Sequence, residues 1–99
     1  MQFIRLMPAQ IADEARPRLA HGVRMQIDPA TDKGVLLFPE GILELNETAQ
    51  DILTRCDGRT VSDIVSALAE EYDVDLATIA ADVRETLADL QRRKLVELT

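Results

Sequence analysis

Ninety-nine residues allow one small domain with a single core, and 46% hydrophobic against 29% charged residues is the balance of a water-soluble fold. The net charge of -7, from 11 basic and 18 acidic residues, argues against a nucleic-acid backbone as the natural partner. One cysteine and one histidine exclude a disulfide framework and any cysteine-based zinc site, and no apolar run reaches the roughly 18–20 residues a membrane span needs. The first residues lack the apolar stretch of a secretory signal. A cytoplasmic domain with no membrane partner is the expectation.

In chain order, residues 1–16 are irregular, with Pro8 and Pro17 bracketing a polar stretch. They read as a flexible arm, and residues 17–99 as the folded domain. Phe3, Ile4 and Leu6 are the arm's apolar cluster. Leaving them in water is unfavourable by about 1.5–3 kcal/mol per side chain relative to burial, so they are a candidate element for a homodimer. After Pro17 the period becomes two. Val23-Arg24-Met25-Gln26-Ile27 alternates as a half-buried strand does. Asp28-Pro29-Ala30-Thr31-Asp32-Lys33-Gly34 is dense in turn formers, and Val35-Leu36-Leu37-Phe38 predicts a second strand. Pro39-Glu40-Gly41 suits a tight turn, and Ile42-Leu43-Glu44-Leu45 follows as a third strand. Three strands joined by turns make an antiparallel meander.

The second half is helical. Asn46 caps a helix with Ala49, Ile52, Leu53 and Cys56 on its apolar stripe, stopped near Gly58. Thr60, with Asp63 three residues on, opens a second helix with the stripe Val61, Ile64, Val65, Leu68 and Tyr72. Asp75 caps a third, with Leu76, Ile79, Ala80, Val83, Leu87 and Leu90 as its stripe. Arg92, Arg93 and Lys94 close it, where the helix dipole favours cations. Leu95, Val96 and Leu98 are expected to fold back on the sheet. The fold class is α+β and winged-helix-like, a three-stranded meander followed by three helices.

Catalytic constellations are absent from the pattern. Cys56 falls on a buried stripe, and His21 reads as a solvated loop residue. The acids Glu70, Glu71, Asp73 and Asp75 gather around a helix end without the ligands or glycine of a calcium loop. No glycine-rich segment cradles a phosphate. The expectation is a non-enzyme with no cofactor and no metal. The residues speak against two binding readings. A DNA-reading helix should offer Arg, Lys, Asn or Gln from its first turns, but Ala77, Thr78, Ala81 and Asp82 stand there and no cation precedes Arg84. An acyl carrier needs an Asp-Ser-Leu attachment site, and the only serines, Ser62 and Ser66, lie inside the second helix.

The run Leu45-Asn46-Glu47-Thr48-Ala49-Gln50-Asp51-Ile52-Leu53, with Asp57-Gly58-Arg59-Thr60-Val61, resembles the PqqD family of peptide chaperones in pyrroloquinoline quinone biosynthesis. Arg16-Pro17-Arg18-Leu19 and Leu36-Leu37-Phe38-Pro39-Glu40-Gly41 fit the same family, so the resemblance covers about residues 16–98. It implies a domain that binds the leader of a PqqA-like precursor peptide. The domain would present that peptide to a PqqE-like radical S-adenosylmethionine enzyme, which joins a Glu and a Tyr side chain. It also implies that the leader adds as a strand to the sheet edge, against the third helix.

The residues supply a place for such a strand. The third strand, Gly41, Ile42, Leu43, Glu44 and Leu45, has one edge without a partner, and unpaired N–H and C=O groups are a template for β-augmentation. On the third helix, spacings of three and four put Arg84, Leu87, Ala88 and Gln91 along one flank. Leu43 and Leu87 also read as core positions. The competing functions are a winged-helix DNA-binding regulator and a module for a different precursor peptide.

Overall fold

The computed structural model describes residues 11–99. Its elements run β1 (Pro17–Leu19), β2 (Arg24–Asp28), β3 (Lys33–Phe38), β4 (Gly41–Glu44), α1 (Glu47–Leu53), α2 (Val61–Tyr72), α3 (Leu76–Arg92) and β5 (Val96–Leu98). The α+β class and the antiparallel meander, in the order β2-β3-β4, are as expected. The turn after β2 closes because the Asp28 carboxylate accepts the Ala30 N–H at 2.9 Å and Asp32 adopts a left-handed φ of 62°. Alternation then puts Met25, Leu36 and Leu43 in one cross-strand row on the inner face. Leu36, at the centre of that row, is fully buried.

The helices start where short polar side chains can accept their first N–H groups. Asn46 accepts from Ala49, Thr60 and Asp63 form a reciprocal capping box, and Asp75 accepts from Thr78. Their apolar stripes pack on one another, α1 also against β3 and α3 also against β5, and Ile52, Val61, Ile64, Leu68, Val83 and Leu87 are sealed from solvent.

Four expectations are corrected. The first helix ends at Leu53 and does not reach Cys56. There the N–H groups of Arg55 and Cys56 bond carbonyls three residues back, at 3.1 Å each, so the chain tightens into turns before Gly58 at φ 110°. Leu76, assigned to the third stripe, is exposed; burial begins one turn later at Ile79. Leu95, Val96 and Leu98 do not join the meander. Instead β5 pairs with β1, Leu19 opposite Val96 and Pro17 opposite Leu98, in a separate two-stranded ribbon. A three-residue strand is too short to show a period, so alternation along the sequence does not mark β1.

The fourth correction concerns the arm. Residues 11–16 are docked on the helices, and Ile11 is 5% exposed. The carbonyls of Ala15 and Asp13 accept the N–H groups of Val61 and Ser62, donors at the start of α2 that have no partner within the helix. Arg84 donates to the Ile11 carbonyl at 3.2 Å and pairs with Asp13. Phe3, Ile4 and Leu6, and the homodimer expected through them, lie outside the described residues.

Candidate binding groove

The geometry of the free edge follows from one hydrogen bond. The Leu45 N–H donates to the Gly34 carbonyl at 2.9 Å, which makes Gly34 and Leu45 a hydrogen-bonded pair. Such pairs alternate along an antiparallel ladder, so Leu36 with Leu43 and Phe38 with Gly41 are bonded pairs too. Ile42 and Glu44 therefore turn their N–H and C=O groups away from β3, toward an edge that has no partner strand among the described residues. Gln50 fixes this end of the sheet, because its side-chain carbonyl takes the Gly34 N–H at 2.9 Å.

Between β4 and α3 lies an open groove of about 300 Å³, lined by Leu43, Glu44, Leu45, Asn46 and Ala49 on one side. Glu85, Thr86, Asp89, Leu90 and Arg93 line the other. Leu45, Ala49 and Leu90 make a buried apolar floor. The rim is charged: Asp89 accepts from Arg92 and Arg93 at 3.0 and 3.2 Å, and Glu85 has no ion-pair partner among the described residues. Arg93 also lines a neighbouring cavity of about 430 Å³ with Lys94, Phe38, Pro39 and Glu40. An apolar floor, polar walls and a row of unpaired backbone groups suit an extended peptide.

Of the residues expected here, Leu43, Glu44 and Leu45 line the groove and Ile42 offers its backbone at the edge. Gly41 starts the strand, exposed. The four helix residues stand elsewhere. Leu87 and Ala88 are buried, Arg84 is taken up by Ile11 and Asp13, and Gln91 faces the β1–β5 ribbon beside Arg18, Val96 and Leu98. A helix has two flanks beside its buried stripe, and only packing decides which one meets the sheet edge. The flank of Arg84 and Gln91 is covered by residues 11–16 and the ribbon, so Glu85, Thr86, Asp89 and Arg93 border the groove. Their spacing of i, i+1, i+4 and i+8 could have been extracted as the opposite flank, but nothing in it marks that flank as the occupied one.

Other candidate chemistry is thin. Burial and the negative charge of Asp57 push the Cys56 thiol up to about 11, and its Sγ contacts the Ile52 carbonyl at 3.4 Å. It is a core thiol with little nucleophilic character at neutral pH. Among the described residues no three His, Cys, Asp or Glu side chains converge as a metal site, and no helix is long and apolar enough to cross a membrane. The exposed first turns of α3 carry Leu76, Ala77, Thr78 and Asp82, a surface that would meet phosphates with a carboxylate.

A small α+β domain whose sheet ends, among the described residues, in an unpaired strand beside its longest helix has the architecture of a peptide-recognition element, and solved structures agree. The fold matches the solution structure of the PqqD part of Methylobacterium extorquens PqqCD with a TM-score of 0.77. That structure is described as a stand-alone recognition element for ribosomally synthesized and post-translationally modified peptides. The match has 39% identity and covers 91% of this chain and 97% of that one. The crystal structure of PqqD from Xanthomonas campestris matches with a TM-score of 0.52 and 40% identity, over 87% of this chain and 98% of that one. Residues 33–96 match the family model for coenzyme PQQ synthesis protein D. A PqqA binding protein of Xanthomonas oryzae pv. oryzae strain PXO99A is 44% identical over 91% of this chain and 99% of its own length. The bifunctional coenzyme PQQ synthesis protein C/D of Methylorubrum extorquens is 40% identical over 91% of this chain, which spans 24% of that larger protein. The chain belongs to the PqqD family.

Proposed function

We propose that this protein takes the leader of a ribosomally made, PqqA-like precursor peptide as an added strand on β4 and presents it to a PqqE-like radical S-adenosylmethionine enzyme. The observation that carries this is the β4 edge, unpaired among the described residues, lying beside an open, apolar-floored groove, in a chain 44% identical to a PqqA binding protein. Ile42 and Glu44 each have one N–H and one C=O to give, and hydrogen bonds of this kind contribute about 0.5–1.5 kcal/mol each. A groove-facing apolar side chain of the peptide adds about 1.5–3 kcal/mol on burial over Leu45, Ala49 and Leu90. These gains must offset the ordering of an extended peptide. The protein acts as an adaptor in this reading, with the chemistry left to the partner enzyme. The alternative of a DNA-binding regulator has no observation in its favour.

The test is titration of isotope-labelled protein with synthetic PqqA-like leader peptide. Amide shifts are expected at Ile42, Glu44, Thr86, Asp89 and Leu90. Shifts centred on α2 would refute the site. Equal binding of an unrelated leader peptide would assign the domain to another precursor.

A further inference from the structure

Strand parity turns two side chains of β4 away from the groove floor, although Glu44 also borders the groove rim. Leu43 and Leu45 face α3, so Ile42 and Glu44 project from the opposite face of the sheet. There Ile42 ends the cross-strand row Arg24, Leu37, Ile42, and Glu44 ends the row Gln26, Val35, Glu44. Both rows stop at the free edge. Ile42 is 64% exposed, the most of any large hydrophobic among the described residues. Glu44 is exposed too, and no cation pairs with it among the described residues.

A strand added to β4 continues both rows, because its side chains alternate between the two faces as those of β4 do. Resting on the reading of β4 as the edge that takes the peptide, we infer that the outer face of the sheet is a second reading surface. The bound strand carries an apolar side chain beside Ile42 and a Lys or Arg beside Glu44. The residue between them points into the groove. Ile42 and Leu37 form a non-hydrogen-bonded pair, the closer-spaced kind, so an apolar neighbour extends a continuous strip and removes Ile42 from water. A cation beside Glu44 gains an opposite-charge cross-strand pair, and an anion there is repelled. Ile42 and Glu44 are two residues apart, so the ligand's apolar and basic residues are also two apart, whichever way it runs. The groove alone would select only every second residue of a peptide. The outer face supplies the others.

The experiment selects short random peptides from a display library against the full chain and against its Glu44→Lys variant. Glu44 is exposed, so the variant keeps the fold. Peptides selected by the unaltered chain are expected to carry Lys or Arg two positions from an aliphatic or aromatic residue. Glu44→Lys should replace that cation by Asp or Glu, and bind the first set about five-fold more weakly. If it selects the same pattern at unchanged affinity, while Ile42 and Glu44 amides still shift with peptide, the outer-face inference is wrong and the edge reading stands. Peptides that bind without moving those amides would overturn both.

Discussion

Replacing Ile42 with proline separates the edge strand's two sides. The Ile42 N–H points away from β3, because Leu43 and Gly41 make the β3 bonds. Proline there removes no hydrogen bond of the folded protein, and an edge strand is where proline is tolerated. The residue before it, Gly41, is exposed, with open space where a Cβ would stand. Stability should therefore change by no more than about 1 kcal/mol, a midpoint shift of a few degrees for a domain of this size. A peptide strand would lose one hydrogen bond of about 1 kcal/mol and meet the ring where it needs to approach. A drop in affinity of roughly five- to thirty-fold follows. Ile42→Ala is the control, since it keeps the N–H and removes only the outward side chain. Leu43→Pro is the opposite case, costing the bond to Leu36 and about 3 kcal/mol or more of stability. Calorimetric titration with leader peptide, beside thermal melts, measures all three. If Ile42→Pro binds as well as Ile42→Ala, the ligand does not pair with β4. If it melts as low as Leu43→Pro, the strand parity is wrong.

Gly34→Ala would place a Cβ 3.0 Å from Cδ and Oε1 of Gln50, and should cost about 1–3 kcal/mol in urea unfolding. In a Gln50→Ala background the cost should shrink, and full additivity would show that the contact is not its source. Thr60→Ala removes half of the capping box on α2, for a loss of about 1 kcal/mol and an unchanged urea m-value. The Cys56 thiol titrates near 11, against 9.0 for an unperturbed thiol. The unfolded chain therefore gives up its proton first as pH rises. The stabilisation held below pH 9.0 is lost progressively toward about 11. A Cys56→Ala variant should lack that part of the alkaline decline, and an identical pH profile for the two proteins would refute it.

Local chemistry determined most of the fold. Asn46, Thr60 and Asp75 cap three helices because their short side chains reach N–H groups three residues on, and Pro39-Glu40 joins β3 to β4 because the turn needs only those two residues. Alternation along Ile42, Leu43, Glu44 and Leu45 was enough to mark an edge strand with two faces. The docked residues 11–16 and the β1–β5 ribbon were not legible, since both depend on partners far away in sequence: Ile11 on Arg84, and Pro17 on Leu98. The same two features decide the helix side of the groove. Periodicity gives a helix one buried stripe and two equivalent flanks, and the sequence carries no term that tells them apart. Only when the ribbon and residues 11–16 cover the flank of Arg84 and Gln91 does that of Glu85, Thr86, Asp89 and Arg93 remain to face the strand edge.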